Sequence, residues 1–545
     1  MILESYIVNR QSAFYLALVS YVVSAICAAA QPNKQVTSEG DRPDNYARDQ
    51  ILTPPSSPMP RINGAKVFGA RPNAPFLFHI AASGKKPLAF EAVGLPPGLQ
   101  LNTNGSLVGS VKTPGDYHVK LTVKNRIGIA HGELLIKIGE NICLTPPMGW
   151  NSWYCWSESV SQEHICAMAD AFVKSGLADH GWTYVNIDDC WQGQRGGKYL
   201  ALQGNERFPD MQKMCDYVHG LGLKVGIYST PWMGSYAGFP GGSCFNMAGD
   251  YSAAALPPDQ RPQPAQLFGR YPGSINKGLN KVGTCWFCDA DARQWGEWGI
   301  DYVKYDWHPN DIPTTRRLAE GLRKAGRDIV VSLSNAATFD DAKELSALAN
   351  LWRTTGDINE SWESINRIGF SQDKWQSFTR PGHWNDPDML QVGMIGNANA
   401  ANHSAHRTSL TPDEQYAQVS LWSLLSAPLL LSCDLTQMDM FTFNLLSNDE
   451  VIEVDQDPKG SVARRLPGAD EVWVKNLQDG TLVVGLFNRG DKERVISANW
   501  SALGLTGQYR VRDLWRQKDA GQFTGRFSSS VRPHGVRLIR IFSVP

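Results

Sequence analysis

The sequence predicts a multidomain protein built around a (β/α)8 TIM barrel with a β-sandwich on either side, and three observations lead to this fold class. Eight short apolar runs end in polar or aromatic residues, helical stretches lie between most of them, and the flanking regions hold short alternating runs divided by turn residues. Parallel strands separated by helices close into a barrel whose active site lies at the C-terminal ends of its strands. The sequence therefore indicates a barrel enzyme with accessory domains.

Residues 1–30 predict a signal peptide, and hence export to the periplasm or to the outside of the cell. Arg10 precedes an apolar run from Ala13 to Ala30 that ends in small residues suited to cleavage. A retained membrane anchor is the alternative, because a run of about 18 mostly apolar residues is close to the shortest that spans a bilayer. We expect no membrane contact once the signal is cleaved.

The next two segments predict a linker and a small domain. Residues 31–60 are rich in Pro, Ser, Asp and Asn without periodicity, which predicts a flexible linker. Residues 61–140 hold β-rich runs such as Tyr117–Val123 between Pro and Gly turns, which predicts a β-sandwich. The stretch Leu95–Gly109 resembles the immunoglobulin-like (Ig-like) modules that are appended to bacterial surface proteins and carbohydrate-active enzymes.

Residues 143–455 predict the barrel. Its first strand is expected within Leu144–Trp153, and helices are expected at Gln162–Ser175 and at Asp413–Leu425, the latter with Thr411 and Pro412 at its start. The Gly- and Pro-rich segment Gly234–Asp289 is expected to be a long loop that builds or covers the substrate site. The other seven predicted strands are Tyr184–Asp188, Lys224–Tyr228, Tyr302–Tyr305, Ile329–Leu333, Leu351–Arg353, His383–Trp384 and Pro428–Leu431.

Residues 456–545 predict a C-terminal antiparallel β-sandwich. Alternating runs such as Glu471–Lys475 and Val536–Phe542 are separated by the turn residues Asp479-Gly480 and Arg489-Gly490.

Composition excludes some partners and cofactors. Lys and Arg total 52 against 53 Asp and Glu, without a block of like charge, so nucleic acid is not an expected partner. Ten cysteines less Cys27 leave nine in the mature chain, an odd number that requires at least one unpaired thiol. Cys285 and Cys288 have the spacing of half a zinc or redox site, yet no second pair accompanies them, so no metal site is predicted.

Carboxylates cluster after the predicted strands. With Trp150, Tyr228, Trp232, Lys304 and Arg353 they would form a polar cup with aromatic walls, which suits a sugar. Paired carboxylates can cleave a glycosidic bond, whereas three acids can hold Mg²⁺ with Lys304 as the base, and spacing alone leaves both chemistries open. The clustered acids are Asp188, Asp189, Asp306, Asp357, Asp386 and Asp388.

Six motifs occur in order between residues 143 and 435. They are Met148–Trp153, Asn186–Trp191, Lys224–Tyr228, Val303–Asp306, Trp352–Ile358 and Gly382–Leu390. Together they resemble glycoside hydrolase family 27, which contains the α-galactosidases or melibiases. The family carries a C-terminal sandwich where this chain is expected to have one. The resemblance implies a sugar-cleaving enzyme without cofactor or metal, acting on α-galactosyl oligo- or polysaccharides.

Residue roles follow from the resemblance. Asp306 would be the nucleophile and Asp357 the general acid and base of a retaining double displacement, for which the two carboxyl groups must lie about 5 to 5.5 Å apart. Lys304 would hold a ring hydroxyl and keep Asp306 ionised. Asp188 and Asp189 would bind the 4- and 6-hydroxyls of galactose, and Trp150 would stack under the ring. Tyr228, Arg353, Asn335 and Asp388 would complete the pocket, and Cys155 and Cys190 would form a disulfide.

Departures from the family pattern leave specificity open. Asn335 and Ala336 stand where family α-galactosidases usually carry Glu and Trp, near the 2-substituent of the sugar, so α-N-acetylgalactosaminidase activity is an alternative. Trp307 and His308 replace a common Asn-Cys pair. Isomaltodextranase and β-L-arabinopyranosidase activities also occur in the family, although Asp188 and Asp189 favour a galacto-sugar with a 6-hydroxyl. A non-catalytic sugar-binding barrel is the alternative of another class.

Overall fold

A computed structural model describes residues 50–251, 279–396 and 405–544 of the chain. The predicted signal peptide, most of the predicted linker and the middle of the long loop therefore lie outside the described residues. No helix in the described part of the chain is long and apolar enough to cross a membrane.

The N-terminal domain is a β-sandwich, as predicted. One sheet has the strand order β2-β9-β8-β5, the other has the order β3-β7-β6, and β1 pairs with β4. Val119, Leu121 and Val123 alternate along β8 and are buried between the sheets, which is the pattern of a strand with one solvated face. The strands are β1 (Arg61–Ile62), β2 (Val67–Ala70), β3 (Phe76–His79), β4 (Ala82–Ser83), β5 (Ala89–Val93), β6 (Leu99–Leu101), β7 (Ser106–Gly109), β8 (Gly115–Lys124) and β9 (Ile129–Ile138).

The prediction of a flexible linker is wrong for residues 50–60. Thr53 is buried, and its hydroxyl accepts a hydrogen bond from the Asn448 side chain at 3.1 Å. The Tyr416 hydroxyl bonds the backbone of both Gln50 and Leu52 at 3.0 Å. Polar composition did not reveal these contacts because their partners come from the barrel, several hundred residues later in the sequence.

Eight parallel strands form the barrel in the order β20-β19-β18-β17-β14-β11-β10-β23. The ring closes beyond β20, where Leu390 and Leu431 form a parallel bridge and the Leu390 amide donates to the Leu430 carbonyl at 2.8 Å. The strands are β10 (Met148–Asn151), β11 (Tyr184–Asn186), β14 (Lys224–Ser229), β17 (Tyr302–Asp306), β18 (Val330–Ser334), β19 (Leu351–Arg353), β20 (Trp384–Asp386) and β23 (Leu429–Leu431).

Three small two-stranded antiparallel sheets lie in the loops at the C-terminal ends of these strands, and they were not predicted. They pair β12 (Gln192–Gly196) with β13 (Ala201–Gly204), β15 (Ser243–Cys244) with β16 (Cys285–Trp286), and β21 (Met394–Ile395) with β22 (His406–Arg407).

Helices lie between most barrel strands, and several have side-chain caps. Gln162–Ser175 is helical as predicted, and the other predicted helix starts one residue earlier than expected, behind a capping box between Thr411 and Glu414. The helices are α1 (Trp153–Trp156), α2 (Gln162–Ser175), α3 (Met211–Gly220), α4 (Cys288–Trp298), α5 (Ile312–Arg323), α6 (Ala342–Leu348), α7 (Trp362–Gly369), α8 (Pro412–Leu424), α9 (Met440–Leu446), α10 (Asp449–Asp455) and α11 (Trp500–Leu503).

The C-terminal domain is the predicted antiparallel sandwich. Its main sheet has the order β24-β25-β26-β31-β28-β29, and β27 pairs with β30. Lys475 on β25 joins it to the barrel, because its buried ammonium donates to the Ser423 carbonyl at 3.0 Å and to the Ser426 hydroxyl at 2.7 Å. The strands are β24 (Arg464–Leu466), β25 (Ala469–Asn476), β26 (Leu482–Phe487), β27 (Arg494–Asn499), β28 (Gln508–Asp513), β29 (Lys518–Thr524), β30 (Arg526–Val531) and β31 (Val536–Ser543).

The N-terminal sandwich packs against the N-terminal ends of the barrel strands. Lys224, the first residue of β14, lies 4.5 Å from the ring centre of Phe68. Asp328, just before β18, pairs with Arg71 at 3.2 Å. This sandwich therefore covers the face of the barrel opposite the strand ends that carry the predicted site residues.

Candidate active site

The predicted site residues lie at the C-terminal end of the barrel. Asp306 is the last residue of β17, Asp188 follows β11, Asp357 follows β19, and Asp386 ends β20. Because the strands are parallel, these positions face the same opening of the barrel. The structure thus brings the predicted acids to one opening, while their roles stay predictions.

The carboxylate of Asp306 is buried, and within the described part of the chain one of its two oxygens lacks a hydrogen bond. Its side chain is only 4% exposed, and its Oδ1 atom has no hydrogen-bond partner among the residues that the structure describes. Burial raises the pKa of Asp306 to about 7, and the positive charge of Lys304 opposes that rise while the negative charge of Asp357 adds to it. A buried carboxylate oxygen without a partner is available to a ligand.

Lys304 is held by Asp188. Its ammonium donates to Asp188 Oδ2 at 2.8 Å, and the same oxygen accepts from Asn151 Nδ2 at 2.7 Å. Burial lowers the pKa of Lys304, but the charges of Asp188, Asp306 and Asp357 more than offset this and raise it above its ordinary value. Lys304 is therefore a fixed positive charge in the floor of the site.

Asp189 anchors a loop. Its Oδ1 accepts from the Cys190 amide at 2.8 Å and from Gln192 Nε2 at 3.0 Å, and its Oδ2 accepts from the Ala237 amide at 2.9 Å. The side chain is buried and engaged by protein donors from both of its oxygens. In this structure Asp189 therefore holds the loop after β14 rather than presenting a free carboxylate for a sugar hydroxyl.

Arg353 joins the two acids that follow β19 and β20. Its guanidinium pairs with Asp388 at 2.8 Å and with Asp357 at 3.2 Å. Asp388 also accepts from the Ile358 amide at 2.9 Å, so it braces the loop that carries Asp357. Burial raises the pKa of Asp386 to about 6, against the charge of Arg353. The Asp357 side chain, in contrast to the other acids, is 55% exposed.

The two predicted aromatic contacts are buried. Trp150 is completely buried, and its indole N–H donates to the Cys433 carbonyl at 2.8 Å. Neither ring face of Trp150 is exposed in this structure, and the stacking of this residue under a sugar stays a prediction. Tyr228 is also buried, and among the described residues its hydroxyl has no hydrogen-bond partner.

Asn335 and its neighbours line the next strand end. Asn335 and Ala336 have φ values of 68° and 104°, a left-handed conformation that costs energy for residues other than glycine and is common at functional sites. The Asn335 carbonyl bonds His308 Nδ1 at 2.9 Å, while its Oδ1 atom is buried without a partner among the described residues. Asn335 also opposes the rise that burial causes in the pKa of Tyr236, a residue that the sequence motifs do not single out.

The disulfide predicted between Cys155 and Cys190 is not formed. All nine cysteines in the described part of the chain are free. Burial raises the pKa of both thiols, and the charge of Asp434 raises that of Cys155 further, as the charge of Asp189 does for Cys190. Within the described residues, no group of three or more His, Cys, Asp or Glu is arranged to hold a metal ion.

Two models of known protein families match this chain, one over the barrel and one over the C-terminal sandwich. The family model described as "Alpha galactosidase A" matches residues 145–255 and 277–457, which include every strand of the barrel. The chain belongs to the α-galactosidase A family. A second family model, for the α-galactosidase C-terminal β-sandwich domain, matches residues 468–541. Membership makes the protein a glycoside hydrolase and confirms the resemblance seen in the motifs.

Individual relatives of this α-galactosidase family member cover most of its length. It is 34% identical to α-galactosidase 2 of Arabidopsis thaliana, over 74% of this chain and 90% of the relative. It is 29% identical to the human α-N-acetylgalactosaminidase, over 72% of this chain and 90% of the relative. A crystal structure of a Bacteroides fragilis protein superposes with a TM-score of 0.76 at 28% identity. The match spans 90% of this chain and 98% of the crystallised chain.

Proposed function

We propose that this protein is an exported exo-glycosidase that removes terminal α-D-galactosyl residues with retention of the anomeric configuration. The observation that carries the proposal is the contrast between two neighbouring acids. Asp306 is buried with one oxygen unpartnered, and Asp357 is exposed at the rim, yet the charge of Asp357 still acts on Asp306. Two such carboxyl groups suit the two different roles of a retaining glycosidase.

Asp306 is the proposed nucleophile. Its free Oδ1 would attack the anomeric carbon, form a covalent galactosyl-enzyme and release the leaving group on the opposite side of the ring. Lys304, paired with Asp188, favours the ionised form that attack requires. Its remaining N–H groups and the free Tyr228 hydroxyl are donors for ring hydroxyls of the sugar.

Asp357 is the proposed general acid and base. A leaving group departs toward solvent, so the carboxyl group that protonates its oxygen belongs on the solvent side of the sugar, where Asp357 is exposed. After the leaving group has gone, the ionised Asp357 would deprotonate the water that releases galactose. Arg353 and Asp388 hold the loop that carries it.

A second candidate substrate is an α-N-acetylgalactosaminide. The Asn335 Oδ1 atom is a buried acceptor without a partner among the described residues, and the N–H of a 2-acetamido group is a donor that would satisfy it. The human relative is named for that activity. Rates on p-nitrophenyl α-galactoside and on the corresponding α-N-acetylgalactosaminide, measured with the same protein, decide between the two sugars.

Substitution of the two acids tests the mechanism. We expect Asp306→Gly to lower kcat by about 10³-fold or more, and azide to restore turnover by forming the β-galactosyl azide, since azide then takes the place of the missing carboxylate. For Asp357→Gly, azide should intercept the galactosyl-enzyme and give the α-galactosyl azide. The exposed Asp340→Gly variant is the control and should keep full activity.

Other results would contradict these assignments. An Asp306→Gly variant that kept most of its turnover would remove Asp306 from the nucleophile role. Release of β-galactose as the first product, followed by NMR before mutarotation, would exclude retention. Export is proposed from residues 1–30 alone, and N-terminal sequencing of protein recovered from the cell exterior or the periplasm tests it.

A further inference from the structure

Two aromatic side chains stand at the open side of the site. Trp232 and Tyr236 belong to the segment after β14, and their rings meet edge to face with centroids 5.0 Å apart. Tyr236 is 37% exposed, whereas the aromatic residues of the floor, Trp150 and Tyr228, are buried. An exposed tyrosine packed on a half-buried tryptophan beside a sugar-cleaving site offers flat apolar surface to a ligand.

Tyr236 lies next to the floor of the site, because the amide of the following residue, Ala237, donates to Asp189, and the adjacent Asp188 holds Lys304. Burial raises the pKa of Tyr236, and the negative charges of Asp306 and Asp357 raise it further. Tyr236 therefore lies close to both proposed catalytic acids, at the mouth of the site.

The segment that carries these rings is held in place. The Ala237 amide donates to Asp189 Oδ2 at 2.9 Å, and the Met233 amide donates to the Lys281 carbonyl at 2.9 Å. Trp232 itself forms an antiparallel bridge with Val282. A rigid aromatic surface loses little conformational entropy when a ligand binds, so it contributes efficiently to affinity.

From this geometry we infer that Tyr236 and Trp232 form one wall of a leaving-group subsite that binds a sugar. The inference rests on the proposed function, in which Asp357 protonates the leaving oxygen. The hydroxyl-binding groups lie in the buried floor, so the galactosyl ring occupies the floor and its leaving group projects past Asp357 toward Tyr236.

The ratio of two rates isolates this subsite. Melibiose carries glucose as its leaving group, whereas α-galactosyl fluoride carries a leaving group too small to reach Tyr236. We expect Tyr236→Ala to lower the ratio of kcat/KM for melibiose to kcat/KM for the fluoride by about tenfold or more, as loss of one aromatic contact does. Trp232→Ala should lower it in the same direction, and Tyr236→Phe should preserve it because the ring face remains.

Tyr217 provides the matched control. It is exposed to a similar extent, 36%, but lies on α3 and bonds Asp170 on the outside of the barrel. Tyr217→Ala should leave the ratio as in the wild type.

The outcomes separate this inference from the proposed function. An unchanged ratio in both Tyr236→Ala and Trp232→Ala overturns the subsite, as does an equal loss on the two substrates, which would assign Tyr236 to the galactosyl ring or to Asp306. If the wild type hydrolyses neither substrate, the proposed function fails first. If Tyr236→Ala does not fold, Tyr236→Leu leaves a smaller cavity than alanine does, removes the aromatic face and is judged by the same ratio.

Discussion

Two opposing effects set the pKa of Asp306, the proposed nucleophile. Burial disfavours the ionised form of Asp306, and Lys304 favours it, with the net result that the pKa of Asp306 is raised to about 7. Lys304 is in turn committed to Asp188, which Asn151 holds in place. The chemistry of the site therefore depends on side chains from three different strands.

The raised pKa of Asp306 predicts the acid side of the pH profile. A carboxyl group attacks only when it is ionised, so kcat/KM should fall as the pH is lowered through about 7. We expect log kcat/KM to rise with a slope of about 1 against pH on this acid limb, as ionisation of a single group requires. The limb should also appear with α-galactosyl fluoride, because its fluoride leaving group needs little help from a general acid. A profile that stays flat down to pH 5 would contradict the burial of Asp306.

Substitution of Lys304 should shift the acid limb of the pH profile. Because the charge of Lys304 lowers the pKa of Asp306, Lys304→Met should raise it, and the acid limb should shift upward by about 1 pH unit or more. The pH dependence of kcat/KM measures the shift. Lys198→Met, at an exposed lysine of the neighbouring hairpin, is the control and should leave the limb in place. A loss of activity without a shift would show that Lys304 acts on the sugar alone.

At this scale the sequence predicts where charges gather but not which side chains face the ligand. Asp306, Lys304 and Arg353 could be placed because polar residues at the ends of parallel strands share one opening. Trp150 could not, since its indole N–H is taken by Cys433, far away in the sequence. Asp189 is buried for the same kind of reason, through the Ala237 amide.

The loops over the site are joined by a buried ion pair. Arg195 on β12 pairs with both carboxylate oxygens of Asp291 on α4, at 2.7 and 2.9 Å. Its guanidinium also donates to the Tyr251 hydroxyl at 2.6 Å and to the Gly241 carbonyl at 2.8 Å. Arg195 thereby ties the hairpin β12–β13, the segment after β14 and helix α4 together.

Loss of the Arg195–Asp291 ion pair should lower the stability of the protein. Arg195→Met leaves Asp291 buried without its partner, for which we expect a loss of about 3 to 5 kcal/mol in the free energy of unfolding. Urea denaturation measures it. Lys198→Met on the same hairpin breaks an exposed pair with Glu297 and should change stability little. Equal effects of the two substitutions would contradict a special role for the buried pair.

The two-stranded sheet β15–β16 brings two thiols into register. Cys244 and Cys285 are directly paired positions of antiparallel strands. Paired residues of this kind have Cα atoms about 4.5 or 5.5 Å apart, and a disulfide needs about 4.4 to 6.8 Å. Both thiols are free in the structure.

A mild disulfide oxidant should therefore cross-link Cys244 and Cys285. Exchange with oxidised glutathione would convert the two thiols into a disulfide and release two molecules of glutathione thiol. Peptide mapping under non-reducing conditions should recover the two cysteines in one linked peptide, and Cys285→Ser should abolish the link. Cys155 and Cys190 are the internal control, for which no linked peptide is expected. Linkage of Cys155 to Cys190 instead would restore the pairing that the family resemblance implied.

Secondary structure could be predicted wherever apolar runs end in clear turn signals. The strand at Leu351–Arg353 has its predicted bounds, and Thr411 marks the helix start through its capping box. The strand near His383 starts one residue late, because His383 is bound to Arg380 in a tight turn. Hairpin β12–β13 was missed because its Gln- and Gly-rich strand has no apolar alternation.

The two accessory domains dock on the barrel by different contacts, and the N-terminal one lies away from the catalytic opening. The N-terminal sandwich contacts Lys224 and Asp328 at the opposite face of the barrel, and the C-terminal sandwich is joined to the barrel by Lys475. The sequence predicts that these domains exist, since each has its own runs of alternating apolar and polar residues. Their docking could not be predicted, because it depends on contacts such as that between Phe68 and Lys224, which no local pattern encodes.

Weakening the N-terminal contact should therefore affect stability but not catalysis. Burial lowers the pKa of Lys224, whose ammonium lies against the Phe68 ring, so Phe68→Ala removes packing and a favourable cation–π contact together. Because Phe68 is only partly buried, we expect a loss of about 2 kcal/mol in the free energy of unfolding. Thermal unfolding and kcat/KM are measured on the same full-length samples, with Val93→Ala, an exposed position of the same domain, as the control. A fall in kcat/KM without a fall in Tm would show instead that the N-terminal sandwich acts on the site.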